Sequence, residues 1–207
     1  MPPRSYHEAV WEALPENLQP SDWQARRRFL LDRVGPGERV LDLGCGEGQF
    51  AAELPDAGAE VLAVDVAQEP LRRARAAHAS LELALIACGG EWELPDTAFD
   101  VVWAGEVIEH VDDTAGWLSE VRRVLRPGGR LLLSTPAHPL LRRAAIALVP
   151  GAWERHFDPR GEHVRFYTRH SLEQLLDDFR FERVEVGRLG PPLVPRVLLG
   201  AAVRARF

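Results

Sequence analysis

Val40-Leu41-Asp42-Leu43-Gly44-Cys45-Gly46-Glu47-Gly48 is the stretch that decides the fold, because it joins a short apolar run to a loop with glycine at every second position. Glycine is needed where the backbone must turn tightly and come close to a ligand. Asp42 is the unusual residue, since an unpaired carboxylate is costly to bury within an apolar strand. The stretch therefore predicts a strand followed by a ligand-binding turn, in which Asp42 has a partner such as a cationic group of the ligand.

A second acid lies at the distance that nucleoside-binding folds require. Asp65 stands in the apolar run Glu60–Val66, about twenty residues after the first glycine of the loop, where an acid can accept hydrogen bonds from both ribose hydroxyls. The loop follows G-x-G-x-G and not the dinucleotide pattern G-x-G-x-x-G, which disfavours an oxidoreductase. Together the loop and the two acids predict a nucleoside site. The alternative interpretation is a simple glycine turn between solvated acids.

Apolar, strand-like runs alternate with helix-like runs along most of the chain. Strands are predicted at 39–43, 60–66, 81–87, 99–104, 130–134 and 181–186, and helices from residue 21 and at 68–79, 114–125 and 172–179. Residues 1–20 are predicted to be irregular, and Ser21 and Gln24 to form a capping box. The alternation predicts the α/β class, with a doubly wound, mostly parallel sheet and a small helical cap. Right-handed crossovers then bring the loops after the strands to one edge, where such sheets bind ligands.

The composition is that of an ordinary globular protein. The 207 residues are 46% hydrophobic and 27% charged, which fits a single domain with its own core. Two cysteines, Cys45 and Cys88, are too few for a disulfide framework or a four-cysteine zinc site. All 25 basic residues counted as lysine plus arginine are arginine, which excludes Schiff-base or P-loop chemistry based on lysine.

Charge and hydropathy limit the expected partners and location. The net charge of −6 weakens any general attraction to nucleic acid, which we do not expect as a partner. No uncharged apolar run is long enough to cross a bilayer, and the N-terminal MPPRSYHEAV lacks the apolar segment of a secretory signal. We therefore expect a cytoplasmic protein. The sequence does not determine the oligomeric state.

Four stretches of the sequence resemble the class I S-adenosylmethionine-dependent methyltransferases, and within them the small single-domain group related to ubiquinone-biosynthesis O-methyltransferases. These stretches are VLDLGCGEG (40–48), VLAVDV (61–66), ELPDTAFDVVWAGEVIEHV (93–111) and LRPGGRLLLSTP (125–136). The resemblance covers about Arg39 to Val186. It implies the methyltransferase form of the Rossmann-like fold, with S-adenosyl-L-methionine as cofactor and S-adenosyl-L-homocysteine as product.

The resemblance also implies which residues hold the cofactor. The methionine part is assigned to Asp42 and to the loop residues Gly44, Cys45, Gly46 and Gly48. The ribose is assigned to Asp65, with Val66 beside the adenine. The family usually has an acid before the Leu-Pro stretch that reaches the adenine amino group, and here glycine falls near that slot. Glu91 or backbone amides are expected to take its place, and Trp92 either packs on the adenine or caps the core.

Glu106-Val107-Ile108-Glu109-His110 follows the fourth strand and is the main candidate for chemistry. If this stretch is helical, residues 106, 109 and 110 share one face. Three interpretations remain open. In the first, Glu106 and His110 organise the loop at the cofactor site; in the second, His110 is a general base oriented by a carboxylate. In the third, Glu106, Glu109 and His110 bind a divalent metal together with His163, as in small-RNA 2′-O-methyltransferases and some quinone O-methyltransferases. A metal is not expected.

The chain is predicted to be one domain, 1–207, in four parts. These are an N-terminal helical cap (1–35), a cofactor-binding core (36–136), a lid insertion (137–170) and a C-terminal part of the core with a tail (171–207). The lid interrupts the strand-helix rhythm and is expected to cover the acceptor; it carries His138, a second candidate base. In the tail, Pro191, Pro192 and Pro195 argue against a paired central strand. A packed helix, a weak contact with a membrane surface or a truncated end remain open there.

These features together predict an enzyme that moves a methyl group from S-adenosylmethionine to an oxygen or nitrogen of a small-molecule acceptor by in-line displacement. Nothing in the sequence identifies the acceptor. Two alternatives remain, namely a metal-assisted RNA 2′-O-methyltransferase and a non-catalytic S-adenosylmethionine-binding domain.

Overall fold

The computed structural model describes residues 4–158, 161 and 163–206, and these contain one seven-stranded sheet. Its strands are β1 (Arg39–Leu43), β2 (Glu60–Asp65), β3 (Glu82–Leu85), β4 (Phe99–Gly105), β5 (Leu125–Pro136), β6 (Phe181–Leu189) and β7 (Val197–Arg204). Their order in the sheet is β3-β2-β1-β4-β5-β7-β6. β1 to β5 pair in parallel, whereas β7 runs antiparallel to both β5 and β6. The predicted α/β class with a mostly parallel sheet is confirmed.

The helices connect these strands and cover the sheet. They are α1 (Arg4–Ala13), α2 (Trp23–Leu31), α3 (Gln68–Ala77), α4 (Thr114–Val124), α5 (Leu140–Leu148), α6 (Ala152–His156) and α7 (Arg169–Asp178). α4 forms where Trp117, Leu118 and Val121 recur at helical spacing, and it buries that apolar face. In α7, Thr168 and Ser171 each bond the other's backbone N–H and so cap the first turn. None of the helices within the described ranges combines the length and the apolar character needed to span a bilayer.

Both faces of the sheet are buried, which explains why its central strands are apolar throughout. Successive residues of a strand point to opposite faces. Val102 of β4 belongs to the larger apolar cluster, with Leu118 of α4 and Leu172 of α7. Its neighbour Val101 belongs to a second cluster on the other face, with Leu30 of α2. This layered arrangement leaves the carboxyl ends of β1 to β4 together at one edge of the sheet.

The C-terminal tail is a strand, contrary to the argument from its prolines. β7 begins after Pro191, Pro192 and Pro195 and lies between β5 and β6. Because the prolines precede the strand, no N–H of the ladder is lost. Gly200 of β7 faces Leu133 of β5, where an added Cβ would lie 3.1 Å from the leucine side chain. Of the possibilities left open for the tail, a packed helix is therefore wrong for residues 197–204, which form the inner strand β7.

The N-terminal region also differs from its prediction. Residues 4–13 form α1 and are not irregular. The predicted capping box of Ser21 and Gln24 does not form, because α2 begins at Trp23 with Asp22 as its N-cap residue. Asp22 has a positive φ of 51° and makes no side-chain cap; its carboxylate is paired with Arg196 instead. A long-range ion pair has therefore replaced a local cap.

Candidate functional site

A cavity of about 650 Å³ lies at the carboxyl edge of the sheet. Each of the first four strands contributes a residue from its end to the cavity wall: Gly44 after β1, Asp65 in β2, Ile86 after β3 and Glu106 after β4. α1 and α4 form the sides. The structure therefore brings the glycine loop, the spaced acid and the two loops after β3 and β4 to one place, as the topology predicted.

The glycine loop after β1 is shaped by backbone hydrogen bonds. The N–H groups of Gly44 and Cys45 both donate to the carbonyl oxygen of Val64, at 2.8 and 2.9 Å. Gly44 has a φ of +75°, and a Cβ there would lie 2.5 Å from Cγ2 of Val107. Only glycine fits this position, because both the backbone conformation and the space exclude a side chain. Gly44 lines the cavity, whereas Cys45, Gly46 and Gly48 are not part of its wall.

Asp65 is held by the backbone at the wall of the cavity. Its Oδ2 accepts a hydrogen bond from the N–H of Gly46 at 3.1 Å, and its Oδ1 accepts one from the N–H of Ala67 at 3.0 Å. The residue is only 6% exposed. Burial raises the pKa of Asp65 to about 6, although the backbone donors oppose this shift. Each oxygen keeps further acceptor capacity, so the carboxylate can bind hydroxyl groups in the cavity.

Asp42 lies at the same edge of the sheet but outside the cavity wall, and it is 2% exposed. Its carboxyl group accepts a hydrogen bond from the backbone of Ala51, while Oδ2 has no hydrogen-bond partner. Burial, and then the neighbouring charge of Asp65, raises the pKa of Asp42 to about 7. This side chain therefore has an unused acceptor, which suits a donor or a positive charge brought by a ligand.

Arg26 of α2 is a charged residue of this region that the sequence did not indicate. It is 2% exposed, and its Nη1 donates to the carbonyl oxygen of Ser21 at 3.2 Å. Its Nη2 lies 4.0 Å from Oε1 of Glu106, which has no hydrogen-bond partner. Glu106 has a φ of +60°, a conformation that is unusual for a residue with a side chain and is typical of functional sites. Arg26 thus places a buried positive charge beneath the loop after β4.

The loop after β3 forms another part of the wall, with Cys88, Gly89, Gly90, Glu91 and Trp92 lining the cavity. Glu91 is exposed, whereas Trp92 is 5% exposed and also packs in the larger apolar cluster. Trp92 therefore caps the core and borders the cavity at the same time. Its position is therefore compatible with both expected roles, packing on an adenine and capping the core.

α1 forms one side of the cavity and covers part of the glycine loop. Trp11 lies on the glycine loop, since a Cβ at Gly46 would come within 2.9 Å of its ring. Arg4 donates to the carbonyl oxygens of Val66 and Ile86, at 2.9 and 3.1 Å. α1 also contacts α3, because Glu8 accepts hydrogen bonds from the N–H groups of Gln68 and Glu69 at the start of α3, at 2.6 and 2.9 Å. These polar contacts hold a helix that has no buried residue of its own.

The stretch after β4 is a 3-10 turn at Ile108–His110, so the predicted helical face does not form. Glu106 and His110 line the cavity, whereas Glu109 points to the interior and is 1% exposed. The hydroxyl of Thr135 donates to Oε2 of Glu109 at 3.0 Å. Burial, followed by the charge of Glu106, raises the pKa of Glu109 to about 8. The prediction that residues 106, 109 and 110 share one face is therefore wrong.

Three of the four proposed metal ligands do come together. Ligand atoms of Glu109, His110 and His163 all lie within 4.8 Å of one another. The rings of His110 and His163 are 4.9 Å apart and edge-on. Glu106 is not a member of this group; it faces Arg26 instead. One carboxylate and two imidazoles are donors that suit a divalent transition metal.

His138 is placed differently from His110. Its Nδ1 lies 3.2 Å from the carbonyl oxygen of Tyr167, which requires this nitrogen to carry a proton. Burial, and then the charge of Arg142, lowers the pKa of His138 to about 4. The ring packs against His156 and Phe166 and does not line the cavity. This geometry is that of a packing residue and argues against a role as base.

Comparison with known proteins identifies the family. A family model described as a methyltransferase domain matches residues 15–186. A probable S-adenosylmethionine-dependent methyltransferase of Mycolicibacterium smegmatis is 33% identical over 174 residues, which are 82% of this chain and 63% of that protein. The ubiquinone biosynthesis O-methyltransferase of Aeromonas salmonicida is 38% identical over 153 residues, 69% of this chain and 63% of that enzyme. The chain thus spans less than two thirds of the length of these two relatives.

Solved structures show the same fold. Phosphoethanolamine N-methyltransferase 2 of Haemonchus contortus, determined with S-adenosyl-L-methionine, has a TM-score of 0.73 and 18% identity, covering 96% of this chain and 56% of that one. An S-adenosylmethionine-dependent methyltransferase from Mesorhizobium loti has a TM-score of 0.67 and 24% identity, covering 89% and 98%. With the family match over residues 15–186, these findings show that the chain belongs to the class I S-adenosylmethionine-dependent methyltransferases.

Proposed function

We propose that this chain transfers a methyl group from S-adenosylmethionine to an oxygen or nitrogen of a small-molecule acceptor. One observation carries the proposal: a single cavity has Gly44 and Asp65 in one part of its wall and His110 in another. This arrangement supports a nucleoside site and a proton-accepting side chain within the same cavity. The ubiquinone biosynthesis O-methyltransferases among the relatives support a small-molecule acceptor.

The residues at the sheet edge fit the cofactor. Glu106 in the cavity wall and Asp42 behind it each have a buried carboxylate oxygen without a hydrogen-bond partner, which suits the positively charged methionine part. Asp65 has free acceptor capacity for the ribose hydroxyls. We assign the methionine part to Gly44 and Glu106 of the cavity wall, with Asp42, Cys45, Gly46 and Gly48 behind that wall. We assign the ribose to Asp65, and the adenine to Val66, Glu91 and Trp92. When bound, the cofactor supplies a methyl group that its positive sulfur has already activated.

The protein must then align the acceptor, exclude water and accept a proton where the acceptor has one to lose. α1 excludes water on the cofactor side, because Trp11 covers the glycine loop. His110 is the base that we propose for the acceptor proton, since it lines the cavity and belongs to the loop after β4. A base is needed for a phenol, whose pKa is about 10, and less so for a neutral amine.

An acceptor screen tests this function. The purified protein is incubated with S-adenosylmethionine and a panel of phenols, amines and carboxylic acids, and S-adenosylhomocysteine is quantified. We expect turnover with at least one class, and His110→Gln should lower kcat by about 100-fold or more for a phenol while leaving cofactor affinity nearly unchanged. Tight binding of S-adenosylhomocysteine without turnover on any acceptor would instead indicate a non-catalytic binding domain.

A metal-assisted O-methylation is a second candidate, favoured by the group of Glu109, His110 and His163. A divalent ion held there would polarise an acceptor hydroxyl and ease its deprotonation. Activity is measured after chelation and after re-addition of Mg²⁺, Mn²⁺ or Zn²⁺. Metal-assisted methylation is supported if the wild-type protein loses activity on chelation and regains it when the metal is added back, and if His163→Ala shows no such recovery. Unchanged activity of the wild type after chelation excludes it.

A further inference from the structure

Glu120 and Arg123 lie one turn apart on α4 and form a two-pronged ion pair. Nη2 of Arg123 lies 2.7 Å from Oε2 of Glu120, and Nε lies 2.9 Å from Oε1. The side chains are only 14% and 21% exposed. The hydrogen bond between the two side chains is the main reason that the pKa of Glu120 is lowered and the pKa of Arg123 is raised. Both shifts favour the charged form. A bidentate pair of this kind has a defined orientation.

The pair reaches across to the loop after β3 and binds its backbone on both sides of Trp92. The N–H of Trp92 donates to Oε2 of Glu120 at 2.7 Å. Nη2 of Arg123 donates to the carbonyl oxygen of Trp92 at 2.9 Å, and Nη1 donates to that of Leu94 at 2.7 Å. Asp96 adds a further acceptor for Nη1 at 2.6 Å. One ion pair therefore provides hydrogen-bond partners for the N–H and C=O of Trp92 and for the C=O of Leu94.

The loop needs this support because its own residues provide little. Gly89 and Gly90 precede Trp92, both have positive φ values, and a Cβ at either would meet nothing within 4 Å. Such a segment is intrinsically mobile unless other groups hold it. Trp92, Glu120 and Arg123 all line the cavity. The ion pair is thus placed to keep the loop in the position that shapes the cavity.

We propose that Glu120 and Arg123 are positioning residues that hold the loop after β3 as the wall against the adenine base, and so set the affinity for the adenine part of the cofactor. This inference rests on the proposed function, since it requires S-adenosylmethionine to occupy the cavity. The alternative is that the pair only stabilises α4 and the fold.

Two ligands that differ only in the base distinguish these roles. S-adenosyl-L-homocysteine contains adenine, whereas S-ribosyl-L-homocysteine carries a hydroxyl in its place. Arg123→Gln removes the donors to both carbonyl groups, and Arg123→Lys keeps the charge but not the planar fork. Arg169→Gln is the matched control, because Arg169 forms an ordinary ion pair with Glu173 on α7 at 2.7 Å. Dissociation constants for both ligands are measured by calorimetry and by competition.

We expect Arg123→Gln to weaken S-adenosylhomocysteine binding by about tenfold or more and to leave S-ribosylhomocysteine binding unchanged. Arg123→Lys should give an intermediate loss, and it tests the proposal if the glutamine variant does not fold. Arg169→Gln should change neither ligand. Equal losses for both ligands, or no loss for either, would overturn the positioning role. If the wild-type protein fails to bind S-adenosylhomocysteine, the proposed function is at fault instead.

Discussion

The proposed cofactor side of the cavity and the lid hairpin, a predicted lid that consists of α5 and α6, are built in opposite ways. On the cofactor side, Asp65 is buried and both its carboxylate oxygens accept backbone hydrogen bonds. In the lid hairpin no residue is buried. Leu140 and Leu148 are 71% and 80% exposed, while Ile146 on the opposite face of α5 is half-buried. The apolar face of α5 thus points away from the domain.

This difference separates a part of the molecule whose polar side chains are fixed from a part that makes few contacts. At the sheet edge, backbone hydrogen bonds fix side chains such as Asp65 in one position, which favours a ligand of one geometry. Two short helices with little buried surface have little intrinsic stability, so they can be changed without disturbing the sheet. We therefore expect substitutions on the cofactor side to act on ligand affinity, and substitutions in the lid hairpin to leave both affinity and folding intact.

The largest effect is expected from Gly44→Ala, which places a Cβ 2.5 Å from Val107. Gly37→Ala is the matched control, since Gly37 has nearly the same φ, +76° against +75°, but nothing within 4 Å of an added Cβ. Gly44→Ala should weaken S-adenosylhomocysteine binding by about 100-fold or more, because the loop is displaced at the ligand. Gly37→Ala should only cost about 1 kcal/mol of stability. Equal affinities in the two variants, measured by calorimetry, would show that the loop is not the cradle.

Asp65→Ala comes next. It removes a charged acceptor from the cavity wall, and we expect S-adenosylhomocysteine to bind about ten- to a hundredfold more weakly. Asp56→Ala, which removes an exposed acid in the turn before β2, outside the cavity wall, serves as the control. An unaltered affinity of Asp65→Ala in the same titration would show that the ribose assignment is wrong.

Asp42 provides a pH test of the unliganded protein. Its pKa is about 7 in the folded state against 3.8 for an ordinary aspartate. Between these values the unfolded chain has released its proton and the folded chain has not, so this group makes stability fall as pH rises toward 7 and has no further effect above it. Asp42→Asn lacks this penalty. Its Tm should exceed that of the wild type at about pH 8 and approach it at about pH 4; a gap that does not change with pH would contradict the assignment of a buried, unpaired carboxyl group.

The last prediction compares the stability of the sheet with that of the lid hairpin, where the smallest effect is expected. Leu131 in β5 is fully buried, whereas Leu148 in α5 is 80% exposed. Leu131→Ala should lower the free energy of unfolding by about 2–5 kcal/mol, and Leu148→Ala should change it by less than about 0.5 kcal/mol. Chemical denaturation measures both values. A large loss in Leu148→Ala would mean that the lid hairpin is packed more firmly than its exposure indicates.

The core of the fold and the cofactor side could be predicted because their signals are local. A run such as Val40–Gly48 contains its own strand, turn and acid within nine residues of sequence, and Asp65 follows at a fixed spacing. The convergence of these residues then follows from the handedness of strand-helix crossovers. No distant contact is needed to make any of these inferences.

The features that were missed depend on partners far along the chain. The local prolines argue against a strand in the tail, although the pairing of β7 with β5 decides its structure. Arg26 stands in the run Arg26-Arg27-Arg28, where nothing local shows which arginine is buried. Glu120-x-x-Arg123 is a common surface spacing, and only its contact with the backbone of Trp92 shows its role. In each case, tertiary structure determines the meaning of an ordinary sequence pattern.

Calorimetric titration of the intact chain with S-adenosylhomocysteine tests the central claim most directly. We predict one bound molecule per chain, with the affinity retained in Gly37→Ala and lowered by about 100-fold or more in Gly44→Ala. No heat of binding in the wild-type protein, or equal binding by both glycine variants, would contradict a nucleoside site built on the loop after β1.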